Sequence, residues 1–516
     1  MKKIRKTIIL TLLLLAGLTA GLYFLLTGNG GGEGTMTAKI NEQQSDLLSN
    51  EKAFRIDLEQ SSVELKKTGA GKNVVEFGTK DVYRTKTSAD ARARLDHLIE
   101  RTGPTLNEPV IVSNPFGTSG DSLFFSFQTA KSGMVRYTIT VSDSSVPDFV
   151  RYVDNGKENN LSRNHEFVVS GFVPGQENYL IIEVLNKAGT VLEKKAYRYN
   201  APASAAASPV PHEETGNSEK PKNGLFAVLP SGDKNIYLYD NSGILRGTVL
   251  TESAHGNRFY QSGNSVLYQV APARVAKVSG TGQVMGMAQV KGYGSILDFS
   301  YDGYDNIYSI GKKKGVYYLL GTSFQSGKTS VLYRFPKGIV PSSITMPSAG
   351  SVYAACSSPS GIVKLEALTS ERPKVSFVLG KSEDWKNTKW KKKAAEDSVV
   401  SRWNLSGALL YTDERGSADG SDAVAAYVLD NKKGTGVQFT IDSGEKTVKV
   451  VHSFPLGESG RNTCEAYEGH YILTNREQGE YAEYDVGGLV TRRFRYGKKL
   501  DGVTKVSLEG ICFYAG

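Results

Sequence analysis

The feature that most narrows the fold of this chain is a strand that keeps returning. Gly263–Tyr268 reads GNSVLY, Gly350–Ala355 GSVYAA, Gly407–Thr412 GALLYT and Gly469–Thr474 GHYILT, with looser copies at Asn223–Val228 (NGLFAV) and Asp305–Ile310 (DNIYSI). Each copy begins at a turn residue and then runs apolar, β-branched or aromatic, which suits a strand buried on one or both faces. Most are followed by a second apolar run and a tight turn, as in YDNSGIL from Tyr239, KVSGTGQV from Lys277 and YDVGGLV from Tyr484. The unit recurs about every 40 to 60 residues, the period of propeller blades. One such unit cannot bury both faces of its sheet, so the copies must stack around an axis. The spacing predicts an all-β fold whose larger part, residues 223–516, is a propeller of about six blades.

A chain of 516 residues is too long for one core, and the upstream half divides further. Residues 1–7 form a basic tail. Ile8 to Leu26 is almost wholly apolar and long enough to cross a bilayer as a helix. Lys2, Lys3, Arg5 and Lys6 ahead of it predict a cytoplasmic N-terminus, with everything beyond Leu26 outside the cell membrane. A cleavable signal peptide is the competing reading, with Leu18-Thr19-Ala20 as a poor cleavage site; the apolar run continues past it and favours an uncleaved anchor. A glycine-rich hinge, Gly28 to Gly34, opens a juxtamembrane region that extends to residue 104. It holds two helix candidates. Ile40, Leu47, Phe54, Leu58 and Leu65 form a thin stripe, and Ser88 to Arg101 places Leu95, Leu98 and Ile99 on one face. Ser88 is positioned to cap the second helix and Gly103-Pro104 to end it.

Residues 105–200 read as a small β-sandwich: VIVSNPFG, SLFFSFQT, MVRYTITV, HEFVVSGFVPG and NYLIIEVLN are short strands punctuated by Gly, Pro and Asn. The Ala-, Ser-, Pro- and charge-rich stretch 201–222 reads as a linker. Within the propeller half, Lys381–Lys393 (KSEDWKNTKWKKK) stands out as a basic insertion, by default a solvated loop, with contact to an anionic envelope polymer as the other reading.

The net charge of +9 owes four charges to the basic tail, so the remainder is only mildly basic and gives no argument for nucleic acid. Cys356, Cys464 and Cys512 are an odd number at wide spacing, neither a disulfide framework nor a metal set. One pair could bridge outside the cell, but buried thiols are the better reading. No nucleophile elbow, P-loop or H-E-x-x-H occurs, and Gly280-Thr281-Gly282 is a turn between strands with no helix to receive a phosphate. His97, His165 and His212 read as surface residues, and His452 and His470 as structural ones. His255 sits in a loop before a blade strand and could reach a central channel. The carboxylate pairs Glu383-Asp384 and Asp413-Glu414 read as solvated charge. No metal site and no cofactor is expected.

Five segments in order nonetheless carry a resemblance. SNPFGTSGDSLFFSF from Ser113 and HEFVVSGFVPGQENYL from His165 resemble sandwich segments of the bacterial arylsulfotransferases. FVLGKSEDW (Phe377–Trp385), SGALLYTDERG from Ser406 and FTIDSGEKTVKVVHSFP from Phe439 resemble segments of that family's six-bladed propeller. The resemblance covers some four hundred residues, from about Leu106 to the end, and implies a β-sandwich followed by a six-bladed propeller. It also implies, for intact members, transfer of a sulfuryl group between phenols. A histidine near the propeller axis takes the group covalently while two further histidines and an arginine hold the sulfate oxygens.

This sequence departs at each of those positions. Leu297, in LDFSYDGYDN, and Val340, in VPSSI, stand where the two supporting histidines would be, although Asp298 keeps its place beside the first. Ser357, in SVYAACSSP, replaces the arginine, and Val399 falls at the nucleophile's position eight residues before Gly407. Losing one oxyanion donor costs on the order of 3 to 4 kcal/mol, and losing a nucleophile costs more. The expectation is therefore a membrane-anchored, outward-facing propeller that has lost the family's chemistry. It would bind a small anionic or aromatic ligand, or an envelope component. His255, Asp298, Arg402 and Arg415 are the candidate ligand-binding residues. The alternative is an active sulfotransferase or other group-transfer enzyme using residues outside the motif, such as His255, Arg402 or Arg415. A third reading is an envelope scaffold.

Overall fold

The computed structural model describes residues 52–508, apart from 156–159, 213–218, 349, 367–372, 398, 404, 406–409, 413–423, 431–434, 443 and 456–461. The expected anchor at 8–26, Arg415, the pair Asp413-Glu414 and Cys512 lie outside the described residues. Among the described residues no helix is long and apolar enough to cross a membrane.

The chain is all-β with two helices at its start. Lys52–Ser61 lays Leu58 against Tyr179, Ile181 and Ala196 of the small β domain. The second helix, Thr85–Thr102, buries Ala91 and Leu95 against Val110, Val112, Phe124 and Val168. It stops where the Gly-Pro step requires: Gly103 adopts φ 55° and ψ 58°, a left-handed conformation natural to glycine, and its N–H reaches Ile99 O at 3.0 Å. The start differs from expectation. Arg84 is the N-cap, and Ser88 lies one turn inside the helix, where its Oγ accepts from Val284 N at 2.9 Å. A hydroxyl read as a local cap is thus a contact between helix and propeller half.

The small β domain has an unexpected backbone. SLFFSFQT and MVRYTITV are one strand, Leu123–Val141. Its first half pairs with Val110–Ser113 and Ser162–Val169, and its second half with Phe149–Tyr152 and Glu177–Leu185. The register shifts between Gln128 and Gly133, where the expected break falls, so the strand passes from one sheet face to the other without ending.

Six further sheets follow in a propeller-like arrangement, four of four strands and two of five. Consecutive antiparallel strands make up the core of each one. In the first sheet the last described strand, Leu500–Val506, pairs with Leu225–Pro230 and so joins the two ends of the propeller half. The recurring motif forms the second strand in five sheets: Leu225–Pro230, Ser265–Ala271, Asn306–Lys313, Ser351–Ser358 and His470–Asn475. All but Asn306–Lys313 are buried almost throughout, whereas fourth strands are more open: Val284–Gln289 alternates with solvent and Thr329–Arg334 has no buried residue. Apolar side chains on both faces are what a strand sandwiched between neighbouring sheets demands. GALLYT departs from the pattern, its described end, Tyr411–Thr412, being the first strand of the fifth sheet.

The stretch expected as a free linker is partly built into the fold. Val210–His212 adds a fifth strand to the outer edge of the sixth sheet, pairing with Arg493–Arg495, and Ala207 O accepts from Tyr239 Oη at 2.5 Å. The small domain is likewise fastened to the propeller half. Gly120 N donates to Thr248 O at 2.8 Å, and Thr118 Oγ1 to Gly282 O at 2.7 Å. Arg246, buried, donates to Pro147 O at 2.7 Å and Gly171 O at 3.2 Å. One hydrophobic cluster runs from Phe167 and Tyr197 into Leu225, Tyr268 and Val506.

Cys356 and Cys464 are free and buried, in the fourth and sixth sheets, and burial pushes both thiols far above the ordinary range. Neither should react with Ellman's reagent in the native protein at pH 8, and both should do so in 6 M guanidinium. Stoichiometric labelling of either, located by peptide mapping without denaturant, would contradict this packing.

Candidate functional site

The first strands of the second to fifth sheets converge on a buried ion pair. Asp298 lies on Ile296–Tyr301, the first strand of the third sheet, with its side chain fully buried. Arg258, just ahead of the first strand of the second sheet, grips it with Nε on Oδ1 and with Nη2 on Oδ2 at 2.9 Å. The carboxylate also accepts from Phe299 N at 2.9 Å, Ser343 Oγ at 2.7 Å and Ile344 N at 2.9 Å. Arg258 Nη2 reaches Ser343 Oγ at 2.9 Å, Ile344 O at 3.3 Å and Leu410 O at 2.9 Å, while Leu410 N donates to Ser343 Oγ at 2.8 Å. Ser343 belongs to the first strand of the fourth sheet, and Leu410 directly precedes that of the fifth.

Four sheets therefore meet on one guanidinium–carboxylate pair. A charge taken out of water is tolerated only when paired and hydrogen-bonded, and here both partners are. Arg258 turns Nε and Nη2 onto a carboxylate, a hydroxyl and two backbone carbonyls, an arrangement that holds sheets together.

The positions expected to have lost their catalytic side chains are placed as follows. Leu297 is 41% exposed and lies with the buried Asp298 in the irregularity between Ile296 and Phe299. Val340 and Ser357 come together, Ser357 Oγ donating to Val340 O at 3.3 Å. Val399 packs on the cluster of Ala355, Leu405 and Leu410 between the fourth and fifth sheets.

Of the ligand-binding candidates, His255, Asp298 and Arg402 are among the described residues. His255 is buried with Nδ1 at 2.9 Å from Gly256 O and Nε2 at 2.9 Å from Pro230 O, so both ring nitrogens face backbone carbonyls and neither is presented to a channel. Asp298 is committed to Arg258, and Arg402 is exposed on the turn Val400–Arg402. Of the other histidines, His97 is exposed, whereas His165, expected at the surface, is buried against Phe127 with Nε2 3.1 Å from Thr129 Oγ1.

A second buried charged centre joins the sixth sheet to the first. Glu483 accepts from His470 Nδ1 at 2.7 Å, from Lys222 N at 2.7 Å and from Lys505 Nζ. The ammonium also donates to Lys222 O at 2.6 Å and Asn241 Oδ1 at 2.8 Å, and lies 4.5 Å from the Phe226 ring centroid. Three acceptors match its three hydrogens. Burial, only partly offset by Glu483, lowers its pKa to about 8. On the outer side, His470 Nε2 faces the exposed carboxylate of Glu219 at 3.3 Å. Among the described residues, no group of three or more His, Cys, Asp or Glu side chains is placed to hold a metal ion.

Sequence reasoning reached Asp298 but missed Arg258, Lys505 and Glu483. Its one available signal was a carboxylate in an otherwise apolar first strand, which demands a buried cation from elsewhere in the chain.

The likenesses to known proteins begin in the small domain. Residues 110–202 match the arylsulfotransferase Ig-like domain. The N-terminal β domain is thus arylsulfotransferase-like, on 93 of the 516 residues. No curated protein matches the chain. Solved structures are similar at low identity. A functionally unknown protein from Desulfotomaculum acetoxidans is 12% identical, with TM-score 0.37 over 55% of this chain and 99% of that one. A putative 6-phosphogluconolactonase from Bacteroides uniformis is 14% identical, with TM-score 0.36 over 72% and 100%. An auxiliary nutrient binding protein from Bacteroides ovatus is 9% identical, with TM-score 0.33 over 76% and 99%.

Proposed function

We propose that this chain is a membrane-anchored, outward-facing arylsulfotransferase-like protein whose six sheets close as blades of one propeller. In this reading it no longer transfers sulfuryl groups and binds a partner or ligand at the cell envelope. The observation that carries the loss of chemistry is the occupancy of the axis. Leu297, Val340 and Val399 put hydrocarbon where imidazoles would be needed, and the guanidinium present, Arg258, is neutralised by Asp298. Phenol-to-phenol sulfuryl transfer needs a nucleophile and cationic donors aimed at the oxygens where charge shifts. The apolar run at 8–26 and the basic residues ahead of it support the anchor and its orientation.

The test is release of p-nitrophenol from p-nitrophenyl sulfate with phenol as acceptor. The expected result is a rate equal to that of the protein-free blank. Turnover above the blank that His255→Ala abolishes would establish the enzymatic alternative instead.

A further inference from the structure

The insertion Lys381–Lys393 carries six lysines against Glu383 and Asp384. It is no loose loop. Ser382–Trp385 is a short helix and Lys391–Lys393 a 3-10 turn, and immediately after it Ala394–Ala395 pairs in parallel with Val378–Leu379. Trp385 and Trp390 pin it from inside. They are 0% and 4% exposed and stack with centroids 5.7 Å apart, and Trp390 also packs on Tyr333 and Phe335. Gly361 and Gly380 make the slot for the first indole, since a Cβ on Gly380 would lie 2.8 Å from Trp385 Nε1. Burying two such rings fixes the segment strongly enough that its lysines are held in place rather than trailing.

Those lysines point outward. Lys381, Lys386, Lys389, Lys391 and Lys392 are all exposed, while Lys393 turns back to Val375 O. Lys386 pairs with Glu383, whose carboxyl is held below the usual range first by Lys386 and then by Lys381 and Lys391. Three ammonium groups thus crowd one carboxylate, and the face keeps an excess of positive charge.

We propose that this face binds a linear, hydrated polyanion, a polymer bearing phosphate or carboxylate groups. This goes beyond the reading of the propeller axis and does not depend on it. Three features select that class. The cations are lysines, compact hydrated charges that suit repeated anionic groups without bidentate geometry. Both tryptophans face inward, so the surface lacks the aromatic wedge with which interfacial segments enter a bilayer. The same inward orientation leaves no ring on which nucleic-acid bases could stack.

The experiment measures binding of the full 516-residue chain to long-chain polyphosphate and to poly-L-glutamate. Phosphatidylglycerol vesicles and single-stranded DNA serve as competing probes. The proposal expects capture of at least one of the two polymers. With Lys389→Gln, Lys391→Gln and Lys392→Gln combined, affinity for it should fall at least about ten-fold at 50 mM salt, and the log–log salt slope should flatten by about two. Glu383→Gln should bind more tightly than the wild type. Which polymer is retained distinguishes phosphate from carboxylate as the group recognised. The proposal is overturned if neither polymer binds, if the triple variant binds as the wild type does, or if vesicles or DNA are bound in preference to both polymers.

Discussion

Arg258→Met should destabilise the propeller half by about 3–5 kcal/mol, because it leaves the carboxylate of Asp298 buried at the axis without its cation. Phe299 N, Ile344 N and Ser343 Oγ would still donate to that carboxylate, but amide and hydroxyl donors do not replace a full positive charge. The double variant Arg258→Met, Asp298→Leu removes both charges and should lose clearly less than the single one, since the penalty lies in the orphaned ion. Urea titration followed by tryptophan fluorescence reads this directly. The three tryptophans, Trp385, Trp390 and Trp403, lie beside the fourth and fifth sheets, which the pair joins through Ser343 and Leu410. A loss below about 1 kcal/mol for the single variant would mean that this pair does not fasten the sheets.

The second large effect is expected at Lys505. Lys505→Met leaves Glu483 buried with His470 and a backbone N–H as its neighbours and should likewise cost about 3–5 kcal/mol. Lys222 O and Asn241 Oδ1 lose a donor in the same step, so the segment around Lys222 should loosen and become more sensitive to limited proteolysis. The pH dependence has a definite sign. Burial lowers the native pKa of Lys505 to about 8, from an ordinary 10.5. Between those values the unfolded chain binds more protons than the folded one, so stability rises with pH across that window. Below pH 8 the lysine is charged in both states and the full desolvation cost is present. Wild type should therefore gain on Lys505→Met between pH 8 and 10.5, by at most about 3 kcal/mol. A gap that stays flat or narrows across that range would place the lysine's titration elsewhere.

Both predictions concern residues that pattern reading passes over, and the reason is general. The repeating strands were legible because burial on two faces forces a continuous apolar run, and Leu225–Pro230, Ser265–Ala271 and His470–Asn475 obey that demand locally. The helix end at Gly103 was legible for the same reason: the requirement is met within a few residues. Ser88 misled because a hydroxyl can cap its own helix or accept from Val284 N, 196 residues away, and only the packed chain selects between them. The break expected near Lys131–Gly133 failed in a similar way. A polar, glycine-containing stretch can be a turn or the point where one strand changes sheets, and the pairing partners on both sides decide.

The insertion at Lys381–Lys393 shows the limit most clearly. Its composition reads as solvated charge, and its lysines are indeed exposed, but the two tryptophans that make it rigid are buried against Gly361, Gly380, Tyr333 and Phe335, residues outside the insertion itself.

Local order was therefore written in the residues themselves: all-β architecture, the strand period, the two early helices and the hydrocarbon at positions 297, 340 and 399. Periodicity and turn chemistry act over a few residues and survive in a one-dimensional text. Which buried cation meets which buried carboxylate was settled by the folded chain alone. Arg258 and Asp298 lie 40 residues apart, and Lys505 and Glu483 22 apart on different sheets. A charge pair has no period, and its free energy depends on removal from water, which exists only once the sheets have closed around it.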